Sequence, residues 1–239
     1  MMPLLAATVA ATIAVTTPGS AVAANAATPA PVLPPSAVLA KYRAALAQLK
    51  EPRVFAFDYT LQQTGTRTLE QTHRVFRSGG DERDETMAVN GNRSRKPVVR
   101  VFHGRPYRYT VAALAPKPAV YAFVYAGPHR DGKHLDYVFT LLPKAKPPPL
   151  AFTQVAIDGV TFLPRTVAFA ARAHAAAGSV SFVKNDRYWV AVAANAQANV
   201  QGGVAREQLA FAHWRFPKAL PRSTFALPRP LPTLPPAPL

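Results

Sequence analysis

Hydrophobic positions change their spacing once along this chain, and that change organises everything that follows. Val38, Leu39, Tyr42, Leu46 and Leu49 recur at helical spacing on one face, with Lys41, Arg43, Gln48 and Lys50 mostly on the other. Ser36 offers a hydroxyl N-cap and Pro52 ends the pattern. This predicts one amphipathic helix. From Val54 the period becomes two: Phe55, Phe57, Tyr59 and Leu61 alternate with Ala56, Asp58 and Thr60. Further strands are expected at Thr68 to Arg77, Asp81 to Val89, Val98 to Phe102, Tyr121 to Tyr125 and Leu135 to Leu142. The second half adds Phe152 to Ile157, Thr161 to Phe169, Ser179 to Val183, Tyr188 to Val192 and Glu207 to Arg215. Tyr107 to Leu114 is a short helix or strand. Asn90-Gly91 and Asp158-Gly159 carry the two-residue hairpin signature.

No crossover helices separate these strands, which argues against a parallel α/β fold. An antiparallel sheet of about ten or eleven strands tends to curl. The expected fold class is therefore mainly β (α+β): a curled antiparallel half-barrel covered by the N-terminal amphipathic helix. Asp81-Glu82-Arg83-Asp84-Glu85 reads as a solvated, edge-type strand whose acids point to alternate faces.

The N-terminus changes the expected compartment. Leu4 to Val15 is apolar but too short to span a bilayer as a helix, and Pro18, Gly19 and Ala21-Val22-Ala23 follow it. That order predicts a signal peptide over 1–23, a Pro/Ala-rich linker over 24–35, a domain over 36–216 and a Pro-rich tail over 217–239. The chain is expected to be exported and soluble, in the periplasm or outside the cell. With no cysteine, the mature protein has no disulfide, no thiol chemistry and no lipidated cysteine.

Twenty-eight Lys and Arg against 12 Asp and Glu give a formal net charge of +16. Arg93, Arg95, Lys96, Arg100, Arg105 and Arg108 form a basic run suited to an anionic surface. In an exported protein the partner would be anionic lipid, an acidic polymer or an acidic envelope protein, not nucleic acid. There is no G-x-S-x-G, no phosphate loop and no H-E-x-x-H, so no enzyme and no cofactor are expected. His129, Asp131, His134 and Asp136 have metal-ligand chemistry, but Arg130 and Lys133 oppose a cation there and no metal is expected. The aromatic strand faces carry more weight. Phe55, Phe57, Tyr59, Tyr121, Phe123, Tyr125, Tyr137, Phe139, Phe169, Phe182, Trp189 and Phe211 are the candidates for lining an apolar cavity under the helix. A fully packed core is the competing reading of the same residues.

One helix followed by about eleven strands resembles the LolA/LolB lipoprotein-carrier superfamily. Local stretches add to this: Asp158 to Val167 (DGVTFLPRTV) is similar to the family's hairpin and following strand. Leu209 to Phe216 (LAFAHWRF), then Leu220-Pro221, Phe225 and Leu227-Pro228, is similar to its closing strand and exit. The resemblance spans about residues 36–228. It implies a half-open barrel, a helical lid and a hydrophobic cavity that takes acyl chains. Lipid or lipoprotein acyl chains are then the expected ligand, with an anionic membrane surface or an envelope protein as further partner. An envelope-stress sensor and a secreted, cell-wall-associated structural protein are the alternatives.

Overall fold

The computed structural model describes residues 32–104, 109–132, 134–146, 148–171 and 175–227. The expected signal peptide, most of the linker and the end of the tail lie outside them, as do Arg105 and Arg108 of the basic run. The first element is helix α1, Pro35–Gln48. Its N-cap is Pro34 rather than Ser36, and no side chain caps it. Proline is favoured in the first helical turn because the amide it lacks has no partner there, so Pro35 displaces the serine inward.

The strands are β1 (Val54–Thr64), β2 (Leu69–Ser78), β3 (Asp81–Val89), β4 (Asn92–Phe102), β5 (Tyr121–Asp131) and β6 (His134–Pro143). They continue with β7 (Leu150–Asp158), β8 (Pro164–Ala171), β9 (Ala176–Asn185), β10 (Tyr188–Val200) and β11 (Gly203–Arg215). A one-turn helix α2 (Val111–Leu114) resolves the ambiguous stretch before β5. All eleven strands form one antiparallel sheet in the order β4-β3-β2-β1-β11-β10-β9-β8-β7-β6-β5. The sheet does not close: β4 and β5 are its two ends. Register shifts interrupt most of the ladders, including β1 with β11 at Ala56/Asp58, β9 with β10 at Ala191/Ala193 and β5 with β6 at Tyr125/Gly127. Each such bulge bends its strand and adds twist, which is how a long sheet curls.

Two local expectations are corrected. Asp158-Gly159 does not form a two-residue hairpin; the loop runs to Leu163, and β8 starts at Pro164 rather than Thr161. The Asp158 carboxylate accepts from the Val160 and Thr161 amides and the Thr161 hydroxyl, holding a wider turn. Nor is β3 an edge, since it pairs with β2 on one side and β4 on the other. Its acids do alternate between faces, but Glu82 is buried. A β-strand this charged survives inside the sheet because its inward members are paired with bases from β2.

From Phe216 the chain leaves β11 and makes a 3-10 turn at Arg222–Phe225. Arg83, steered by Glu85 at 2.6 Å, donates to the carbonyls of Thr224 and Ala226, so this part of the tail is fastened to β3. Among the described residues no helix is long and apolar enough to cross a membrane.

Candidate functional site: an aromatic concave face

Alternation puts Phe55, Phe57 and Tyr59 of β1 on the inner face of the sheet, and the ladders carry that face across it. The core cluster contains Phe55, Phe57, Tyr121, Tyr137, Phe139, Phe182 and Phe211, all buried, with Tyr59, Phe123, Tyr125 and Trp189 partly buried against it. The structure thus gathers eleven of the twelve candidates. Phe169 is only half buried and sits over Gly178, where an added Cβ would come within 2.7 Å of its ring.

The aromatic side chains form two groups. At β1 and β11, Phe57 stacks on Trp214 with ring centroids 4.4 Å apart, and Phe55, Tyr59 and Phe211 surround it. Near β5 and β6, Phe139 meets Phe123 and Tyr125 at 5.9 and 5.2 Å, and Tyr42 of α1 packs on Phe123. Trp214 was not among the candidates. Strict alternation from Phe211 would turn it outward, but His213 has a left-handed backbone (φ 54°) at the β11 bulge and reverses the phase. Its indole N–H then donates to the Ala191 carbonyl.

A second layer also escaped the periodicity. Tyr109 packs on Phe57 at 4.8 Å, its carbonyl accepts from the Ala191 amide at 2.9 Å, and Val111 is fully buried. The segment from Tyr109 to Pro116 therefore lies on the concave face between the sheet and α1. Only Val38 and Tyr42 of α1 are fully buried. The Tyr42 hydroxyl donates to the Pro116 carbonyl at 2.7 Å, the Leu33 amide donates to the Tyr137 hydroxyl at 2.9 Å, and Thr110 bridges to Val190 and donates its hydroxyl to Glu51 at 3.0 Å. Lys41 lies 5.0 Å from the Phe162 ring centre. Burial pushes the Tyr42 hydroxyl pKa well above its ordinary value, so it stays a neutral donor. The Tyr125 hydroxyl is raised by the same cause, and it is buried without a hydrogen-bond partner.

The β2–β4 wing of the same face is polar. Arg77 and Glu82 are fully buried and 2.5 Å apart, in register beside Phe55. One row along, Asp84 accepts from the Tyr59 hydroxyl at 3.2 Å and pairs with His73 at 2.7 Å, while Tyr59 stacks flat on His73. Burial, and then the Asp84 charge, raise the Tyr59 pKa. Arg100 is in register with Asp84. Of the expected anionic-surface residues, Arg93, Arg95, Lys96 and Arg100 are all exposed along the end strand β4. Among the described residues no cluster has the three donors a metal site needs. Asp136 instead faces Arg165 at 3.4 Å.

Taken together, the elements define an open antiparallel half-barrel with an aromatic inner face and a helical cover. In fold the chain is similar to a putative outer membrane lipoprotein-sorting protein domain from Vibrio parahaemolyticus, at 15% identity over 78% of this chain and 95% of that one, TM-score 0.48. It is also similar to a LolA superfamily protein from Nitrosomonas europaea, at 10% identity over 82% and 99%, TM-score 0.46. A DUF1329 family protein from Desulfovibrio piger matches at 12% identity over 79% and 97%, TM-score 0.46. No family model matches the chain, and neither does any curated protein.

Proposed function

We propose that this protein is an exported, non-catalytic carrier that takes an acyl chain or a comparable apolar ligand on the concave face, beneath α1 and the Tyr109–Pro116 segment. The observation that supports this reading is the aromatic concave face itself, covered by one helix and one short connecting segment. Two aromatic groups, at β1/β11 and at β5/β6, line the face, and α1 contributes two fully buried side chains, Val38 and Tyr42, with Leu39, Ala45 and Leu46 partly buried beside them. Moving α1 breaks the Tyr42–Pro116 and Leu33–Tyr137 hydrogen bonds, and α1 has neither a side-chain cap nor charges complementing its dipole. A lipid chain would replace the apolar contacts so lost, since the hydrophobic effect depends on area removed from water and not on which group removes it. Half-buried Phe123 and Tyr125 are the first residues it would meet.

Arg93, Arg95, Lys96 and Arg100 would bring β4 against an anionic membrane surface. Binding to phosphatidylglycerol vesicles should therefore weaken as salt rises; salt-independent binding would remove that part of the reading.

The test is native mass spectrometry of the mature protein purified from its own envelope without detergent, followed by organic extraction. A lipid or lipopeptide adduct is expected, lost in Phe123→Asp. A bare protein mass, with no uptake of a fluorescent fatty acid, would refute the carrier and leave the aromatic face as ordinary core.

A further inference from the structure

On the opposite face from Phe57 and Tyr59, strands β1, β2, β3 and β11 enclose a pocket of about 330 Å³, within the range of about 300–1,000 Å³ that holds small ligands. Its origin lies in residue size. Ala88 on β3 and Ala210 and Ala212 on β11 put methyl groups where neighbouring positions carry longer side chains, so the outer surface dips there. Thr60 and Thr72, directly opposite one another across β1 and β2, add a hydroxyl and a methyl each.

The rim is cationic. Arg74 comes from β2, and Arg93 reaches in from β4, where it is in register with Ala88. The one carboxylate lining the pocket, Asp58, is already engaged: Arg74 donates to it at 3.0 Å, His213 approaches at 3.1 Å, and Arg215 lies 4.0 Å away. Arg93 has no ion-pair partner among the described residues. Two guanidiniums, Arg74 and Arg93, therefore line the pocket with one carboxylate that Arg74 and Arg215 already share, above an apolar floor.

We propose that this outer pocket binds a small organic oxyanion, a carboxylate or phosphate carried on a compact apolar body. The anionic group sits between Arg93 and Arg74, in reach of the threonine hydroxyls, and the body rests on the three alanines. Guanidinium is suited to this because its fork donates two parallel hydrogen bonds to an oxyanion. The site is separate from the aromatic face, so it stands whether or not the protein carries lipid.

Phenyl phosphate and benzoate are the probes, with benzyl alcohol as the neutral control, followed by amide NMR titration and calorimetry. At least one anion should shift the Thr60, Thr72, Ala88 and Ala210 amides and bind about tenfold or more tightly than the alcohol. Which anion responds identifies the group. Arg93→Gln should cost about tenfold, and Ala210→Leu, on an exposed position, should abolish binding by filling the floor without touching charge. Equal binding of benzyl alcohol, no binding of either anion at millimolar concentration, or binding that survives Ala210→Leu would overturn the proposal. The last outcome, combined with loss in Arg95→Gln, would assign the anion to the β4 surface instead.

Discussion

Glu82→Gln probes the buried ion pair between β2 and β3. Arg77 and Glu82 have side chains 0% and 2% exposed and lie 2.5 Å apart across β2 and β3. Glutamine keeps the shape of glutamate and removes its charge, leaving a guanidinium in the core without its counter-ion. Breaking one side of such a buried pair costs about 3–5 kcal/mol, against a total stability for a domain of roughly 5–15 kcal/mol. For a chain of this size that corresponds to a fall in Tm of roughly 6–20 °C. Replacing both partners together, Arg77→Met with Glu82→Leu, should return most of the loss, because an apolar pair owes no desolvation cost. Urea unfolding followed by far-ultraviolet circular dichroism measures both variants, with the slope checked so that a change in midpoint reports stability. A loss under about 1 kcal/mol in Glu82→Gln, or a double variant no better than the single, would show that water reaches this pair and that it is not buried as described above.

Trp214→Ala should cost about 3–5 kcal/mol, since it removes the ring stacked on Phe57 and the hydrogen bond to Ala191 together; a loss below about 1 kcal/mol in urea would mean that the β11 bulge does not anchor the aromatic group. Asp136 gives a pH signature: burial first, and then neighbouring Asp158, raise its carboxyl pKa, while Arg165 acts in the opposite direction. A raised folded-state pKa gives a contribution that is complete below the unfolded value of about 3.9 and lost as pH rises through the folded value. Asp136→Asn should therefore gain on the wild type in urea midpoint as pH climbs from the acid range to neutrality, and the reverse trend would contradict the burial argument.

Strand period, the helix and the antiparallel class were legible in the chain because each is a local pattern repeated over many residues. The candidates for the inner face were legible for the same reason, as Phe55, Phe57 and Tyr59 show. Two kinds of feature were not. Trp214 is turned inward by a single residue in an unusual backbone conformation, and a bulge at His213 leaves no mark on a period of two until its position is known. Tyr109 and Val111 belong to a non-repeating connection whose burial depends on strands far away in sequence. The charge-rich run Asp81 to Glu85 was misplaced at an edge for a related reason: Glu82 looks solvated until Arg77 is seen across the ladder. Glycine at 178 is another long-range requirement, since a Cβ there would press on the Asn195 carbonyl at 2.1 Å.

The relative direction of β4 and β5, the strands on either side of the gap, follows from parity. Around a ring, strands can alternate direction all the way only if their number is even, and this sheet has eleven. Every hydrogen-bonded pair is antiparallel, including β1 with β11, which joins the two ends of the chain in the middle of the sheet. Following the directions outward from that pair, β4 and β5 must run the same way. No hairpin can connect strands that run the same way, and the connection between them places Tyr109 and α2 on the concave face. An even-numbered relative of this meander could seal itself and dispense with the crossing. Here β4 and β5 could meet only as a parallel pair, unlike every other pair in the sheet, and the sheet stays open between them.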